Sequence, residues 1–374
     1  NLLLDDFRQQ YPSIRIEKIY LQHPPGNTET MKTYLHSGLV DAFTTSYWNL
    51  RIMAEAGLIG ELEPMAPNER LYGFLNEAFT FDNVLYAHPL AFAPLVLAYN
   101  VKHFRDCGIA EPDAGWSWEE AIRQAERLSA PPHRHGLHFQ PFHDERWPVF
   151  LLQSETGDDK DGGRKGNRPD ATKWMDGIRL SKNIIRNHTI FPNYLLESEK
   201  DIGTLFLQGK TSMIVTSYFS LNRFIDSDLE YDISSLPYLR EPRTLLLITG
   251  IAINRQSAHK AAAHCLADYL TSPQAQRIIR RHSLGIPSEK PAAEDRSEPA
   301  ATIRRPSRYE LYRDIIPSYR RLCDLGLSAE SFFSLREWMK YYWADLIDES
   351  GMKEALRNIA VRQASGAEES PVAL

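Results

Sequence analysis

Cysteine is scarce in this chain. Its three cysteines, Cys107, Cys265 and Cys323, are far apart, odd in number and in no metal-like spacing. That argues against a disulfide framework and makes buried free thiols the default, leaning toward a reducing compartment. No stretch approaches the roughly 20 uninterrupted apolar residues that a membrane span needs. Positive charge is not in excess either: 43 Lys and Arg stand against 49 Asp and Glu, for a net charge of −6. The arginines are scattered among acids, so direct nucleic-acid contact is not expected. A Gly-rich phosphate loop, a G-x-S-x-G elbow and an H-E-x-x-H helix are all missing, and no carboxylate pair suggests glycoside chemistry. A non-enzyme without a cofactor is the expectation. His133, His135, His138 and His143 crowd one span, but no carboxylate completes a metal spacing there. Asp158, Asp159 and Asp161 lack the offsets of a calcium loop. No metal site is expected.

What is present is ordinary for a globular protein: 43% hydrophobic and 25% charged residues. A length of 374 residues exceeds the ~250–300 at which single cores stop growing, so two domains are expected. Asn1 is followed by neither a basic nor an apolar leader region, so an export signal or a further N-terminal domain is expected to be removed or out of view.

Helix and strand patterns alternate along the chain. Leu3, Leu4 and Phe7 share one face of a helix over Leu2 to Gln10, and Tyr11-Pro12 stops it before the alternating Ile14, Ile16 and Ile19, which read as a strand. A helix from Thr28 to Ser37 precedes a short apolar strand, Leu39 to Thr44, whose end carries Thr45, Ser46, Tyr47 and Trp48. Strand ends of this kind hold ligands in open α/β sheets. Leu50 to Gly57 reads as a helix. The apolar run Tyr86 to Asn100 is broken by Pro89 and Pro94 and reads as two short strands. Ser117 caps an amphipathic helix with Ala121, Ile122, Ala125 and Leu128 on one face. Asp158 to Asp170 and Pro287 to Pro306 read as polar connections, and helical periodicity returns in Tyr309 to Tyr319 and Glu330 to Trp343. Alternation of this type belongs to a sheet covered by helices on both faces.

Four segments in order carry a family resemblance. They are Ala56-Gly57-Leu58-Ile59 with Leu62-Glu63-Pro64-Met65; Leu85 to Leu90 with Val96-Leu97-Ala98-Tyr99-Asn100, Phe104, Gly108, Pro112, Trp116 and Glu119; Phe206-Leu207-Gln208-Gly209-Lys210-Thr211-Ser212-Met213 with Tyr218-Phe219; and Leu236-Pro237, Gly250-Ile251-Ala252-Ile253, Ala262 to Leu270 and Thr271 to Gln276. Over nearly its whole length the chain resembles extracellular solute-binding proteins of the maltose-binding type. The third segment is similar to the family's F-x-x-G-K-x-A-M strand, with Ser212 in place of the alanine. The fourth is similar to its "TSPEAQ" helix start.

The resemblance implies a type II periplasmic-binding-protein-like α/β fold: two α/β lobes, an interlobe ligand cleft and hinge crossings near Pro89 to Pro94, Pro237 to Arg243 and Pro287 to Pro291. Lobe one would comprise residues 1–92 plus 243–288, with the family's first strand upstream of residue 1, and lobe two 93–242 plus 289–374. The implied function is capture of a small polar ligand, a sugar or oligosaccharide, by lobe closure, and delivery to the membrane subunits of an ABC importer. The implied protein is a monomer, extracytoplasmic, secreted or lipid-anchored. Two alternatives remain: the ligand-sensing domain of a cytoplasmic winged-helix regulator, and a carbohydrate-processing enzyme.

A cleft for an uncharged polar ligand needs aromatic plates and hydroxyl-pairing side chains. The candidates on lobe one are Ser46, Tyr47, Trp48, Phe92, Thr249 and Gly250, the glycine allowing close backbone approach to a ligand. On lobe two they are Arg146, Trp147, Tyr218 and Phe219. Core packing is the rival account of Trp48, Phe92, Trp147 and Tyr218. Where the family often places an acidic residue for sugar hydroxyls, this chain has Thr44, Thr45 and Ser46.

Overall fold

The computed structural model describes residues 2–20, 28–62, 69–75, 78–81, 83–141, 146–155, 171–192, 201–295 and 303–365. Among the described residues ten strands run in chain order: β1 (Ala42–Ser46), β2 (Thr80–Phe81), β3 (Val84–Leu85), β4 (His88–Asn100), β5 (His135–His138), β6 (Thr211–Ser217), β7 (Tyr231–Ser234), β8 (Thr244–Ile253), β9 (Ile286–Pro287) and β10 (Tyr319–Arg320). The chain divides into two compact units, Asn1–Ala93 with Leu247–Arg305, and Pro94–Leu246 with Pro306–Leu374. β4 and β8 each begin in one unit and end in the other.

In the first unit β1 lies antiparallel to β8, from Ala42 opposite Ile253 to Ser46 opposite Thr249. β9 pairs antiparallel with β4 through Ala91 and Phe92. The helix Leu2–Gln10 buries Phe7, whose ring meets Tyr269 edge-on at 5.2 Å. Ser272 caps the helix Pro273–His282 by accepting from the Ala275 amide at 3.3 Å. That helix carries the fully buried Gln276. Its amide donates to the carbonyls of Leu90 (3.1 Å) and Leu270 (2.9 Å), and its oxygen accepts from Ser288 Oγ and the Glu289 amide. A buried amide side chain must satisfy all of its hydrogen-bonding capacity. Gln276 does so by fastening β4 and the segment after β9 onto one helix, and so the first unit runs on past Ser288 to Arg305.

In the second unit β5 runs parallel to β6, and β4 pairs antiparallel with β6 (Leu95 to Tyr99) and with β7 (Leu97 to Asn100). The helix Trp118–Leu128 turns Trp118, Ala121, Ala125 and Leu128 inward, and Ser117 caps it by accepting from the Glu120 amide at 3.2 Å. The helices Pro148–Ser154 and Ala171–Arg186 pack so closely that a Cβ on Gly177 would lie 2.0 Å from the Phe150 carbonyl oxygen. Gln153 is this unit's counterpart of Gln276: fully buried, it accepts from Trp118 Nε1 at 2.7 Å and donates to the carbonyls of Pro237 (3.0 Å) and Arg243 (2.8 Å).

Several local expectations change. Tyr86 to Asn100 does not form two short strands; His88–Asn100 is one strand of 13 buried residues. Pro89 and Pro94 sit just before the stretches paired with β9 and β6, which begin at Ala91 and Leu95, so neither is asked for an N–H by those two ladders. Ile14 to Ile19 forms no strand. Tyr309 to Tyr319 is broken into the short helix Leu311–Asp314 and a 3-10 turn at Ile316–Ser318, with Pro317 inside the turn. The expected connection Pro287 to Pro306 contains the helix Lys290–Glu294, while residues 296–302, and the polar stretch Asp158 to Asp170, lie outside the described residues.

Candidate ligand-binding faces

In the first unit the antiparallel register sets Ser46 opposite Thr249 at one end of the β1–β8 pair. Both are half-buried. Ser46 occupies the N-cap position of the helix Tyr47–Glu55, yet its side chain makes no cap hydrogen bond, so the helix does not consume its hydroxyl. Tyr47 opens the helix with its ring 5.3 Å from Phe81, and Phe81 lies 6.0 Å from Tyr86. These three half-buried rings form a row beside the strand end. Rings that are neither solvated nor enclosed can still accept an apolar face. Trp48 is the second residue of this helix, and its side chain lies outside what is described.

The other two first-unit candidates face inward. Phe92 is fully buried, edge-on to both Tyr72 and Phe74 at 5.3 Å. At Gly250 an added Cβ would meet Phe79 Cε2 at 2.4 Å. The glycine thus makes room for the Phe79 ring.

In the second unit the end of β6 passes directly into the helix Tyr218–Leu221. Ser217 caps the helix from its Oγ, which lies 3.3 Å from Ser220 Oγ. The buried Arg146 donates from Nη2 to Ser220 Oγ at 2.9 Å. Phe219 is half-buried beside them. Thus Arg146 and the Tyr218-Phe219 loop, distant in sequence, meet through two serines that sequence reading did not single out. The visible signal for them was the S-x-x-S spacing of an N-cap.

Tyr218 and Trp147 are not open plates. Tyr218 is fully buried, donates to the Tyr309 carbonyl at 2.8 Å and accepts from the Tyr312 amide at 3.1 Å. Burial first, then Tyr309 and Tyr319, push its hydroxyl pKa well above the ordinary value, so it stays a neutral donor. Trp147 stacks on Phe332 at 5.3 Å and meets Trp343 edge-on at 6.2 Å. Successive residues point in different directions, so Trp147 and Tyr218 enter the core while Arg146 reaches the serine cluster and Phe219 stays half-buried.

Phe81 and Tyr86 were also missed. They flank the tight turn at Asn83, which has a φ of 64°, the left-handed conformation that asparagine tolerates. Among the described residues no three His, Cys, Asp or Glu side chains converge on a metal-sized site, none of the three cysteines is bonded to another, and no helix is long and apolar enough to cross a membrane.

With these faces in place, comparison with known proteins is informative. The model of the bacterial extracellular solute-binding protein family matches residues 1–277. The chain belongs to this family. A candidate binding protein of Brucella abortus (strain 2308) is 25% identical over 186 residues, covering 45% of this chain and 44% of that protein. The match thus spans under half the length of that curated relative. Among solved structures, an ABC substrate-binding protein from Listeria monocytogenes in complex with cycloalternan is 18% identical, with a TM-score of 0.77, covering 98% of this chain and 95% of that one. The maltose-bound MalE3 of T. maritima is 17% identical, with a TM-score of 0.80 and the same coverage. At these identities the likeness establishes the fold, that of maltose-binding type substrate-binding proteins.

Proposed function

We propose that this family member binds a neutral carbohydrate, an oligosaccharide rather than a single sugar ring, without chemically altering it, and passes it outside the cytoplasm to an ABC importer. The observation that carries the reading is the row Tyr47, Phe81 and Tyr86 beside the hydroxyls of Ser46 and Thr249. Sugars present C–H faces and hydroxyls together, and this face offers a partner for each. A row of three rings suits more than one sugar unit. Phe219, with Ser217, Ser220 and Arg146, supplies a second candidate face of the same chemistry. The Listeria and T. maritima proteins hold cycloalternan and maltose, both oligosaccharides, which supports the class of ligand.

The test is a thermal-shift and calorimetry screen with maltose, maltotriose and other neutral oligosaccharides. A ligand at 100 times its dissociation constant adds about 2.7 kcal/mol of stability. Phe81→Ala and Phe219→Ala should each weaken the hit by ~10-fold, or about 1.4 kcal/mol, with little loss of melting temperature. The reading fails if no saccharide stabilises the protein, or if both variants bind as tightly as the parent. One observation, three unbonded cysteines, favours a second reading: the ligand-sensing part of a cytoplasmic regulator. Cell fractionation with an antibody to this chain separates the two.

A further inference from the structure

At the other end of the β1–β8 pair, beyond Ala42 and Ile253, the first unit carries a pocket of about 310 Å³ whose lining includes Ile59, Glu61, Ile253, Arg255, Lys260 and His264. Ile253 lies four steps along the strand from Thr249, about 14 Å at ~3.4 Å per residue. Among its described lining residues the pocket has neither Ser46 nor Thr249.

Its floor is main chain held from several directions. The Gly60 amide donates to the Ile253 carbonyl at 2.9 Å, and the Arg255 amide to that of Leu58 at 3.2 Å. Asn254 between them is fully buried, its amide donating to the carbonyls of Leu35 (2.9 Å) and Val40 (2.8 Å). Arg255 therefore projects from a fixed base, and Lys260 opens the helix Lys260–Leu270 beside it. Neither has a carboxylate within ion-pair distance among the described residues. Several other surface arginines are matched, Arg51 with Glu55 at 2.9 Å, Arg105 with Glu230 at 3.2 Å and Arg308 with Glu111 at 3.0 Å. In a chain of net charge −6, two unmatched cations around one concavity mark a place where negative charge from outside is favoured.

We propose that this pocket binds a small hydroxylated molecule bearing a carboxylate or phosphate group. Arg255 offers the planar donor fork that fits either oxyanion, and Lys260 adds a point charge. Glu61, the one carboxylate among the described lining residues, repels a bare anion but accepts from a hydroxyl. Ile59 and Ile253 supply apolar wall. The volume lies at the small end of the ~300–1,000 Å³ range of small-molecule sites.

The experiment is a titration of the ¹⁵N-labelled protein with glycerol 3-phosphate, malate and inorganic phosphate, each at constant ionic strength set by chloride, because surface attraction is screened by salt. Saturable amide shifts at Gly60, Asn254 and Arg255 are expected with glycerol 3-phosphate or malate, and the stronger of the two identifies the oxyanion. Arg255→Gln with Lys260→Gln should weaken that binding by ~10-fold or more. Glu61→Gln should narrow the preference for the hydroxylated ligand over inorganic phosphate. These side chains are exposed, so the variants should keep the parent's circular dichroism and its saccharide binding. The proposal is overturned if no oxyanion saturates, if the double variant binds as well as the parent, or if shifts fall elsewhere. None of these outcomes bears on the oligosaccharide reading, which rests on other residues.

Discussion

Replacing Trp147 by alanine would remove a ring that has no exposed surface and packs face-on against Phe332, with its edge toward Trp343. Truncation of a buried aromatic typically costs about 3–5 kcal/mol, the upper part of that range applying where the cavity cannot collapse. Here the two neighbours are themselves large rings buried in the second unit, so little collapse is available, and the lost stacking itself is worth about 0.5–1.5 kcal/mol. A loss of about 4 kcal/mol converts to a melting temperature roughly 8–16 °C lower for a unit of this size. Differential scanning calorimetry of the whole chain suits the measurement, because two units need not melt in one step. At a temperature where the variant is still folded, calorimetric titration with an oligosaccharide found by the screen should give the parent's affinity within about threefold. The reasoning is refuted if Trp147→Ala melts within ~2 °C of the parent while losing most of its affinity, because that pattern belongs to a plate in contact with ligand.

Gly250→Ala should lower the melting temperature through overpacking, at about 1–3 kcal/mol, because its Cβ would lie 2.4 Å from Phe79; combining it with Phe79→Leu should recover part of the loss, and an unchanged melting point in the single variant would count against the contact. Acidification should destabilise the second unit by a route that involves no ion pair. Burial lowers the pKa of His103 to about 4 and of His138 to about 3, each helped by a neighbouring positive group, Arg134 and His135 respectively. A histidine with its folded pKa below the unfolded 6.5 favours the neutral form, so stability is full above about pH 6.5 and is lost progressively as pH falls toward the folded values. His138→Phe should flatten the slope of chemical stability between pH 6.5 and 4, and an unaltered slope would show that the folded protein does not hold this ring neutral.

Local chemistry written in short segments was legible without coordinates. The periodicity of Leu2–Gln10, the Ser117 cap of Trp118–Leu128 and the Ser272-Pro273 start of Pro273–His282 each depend on neighbours three or four residues away. The order of such segments carried the family and, with it, the fold. Prolines misled at Pro89 and Pro94, because proline forbids a hydrogen bond only where a ladder asks for one, and the pairing register decides where that is. The same limit governed the candidate site. An aromatic residue has one composition whether it lines a surface or fills a core, and only three-dimensional neighbours distinguish Tyr218, enclosed by Tyr309 and Tyr312, from Phe219 beside it. Gly250 likewise reads as permissive in sequence, whereas Phe79, 171 positions away, is what requires it. The residues brought together at Ser220, and at Tyr47 with Phe81, are joined by register and long-range packing. Sequence thus determined the elements and their order, since those follow from backbone and periodicity. The tertiary structure decided which faces of those elements stay open, because burial is a property of what packs against a residue and not of the residue itself.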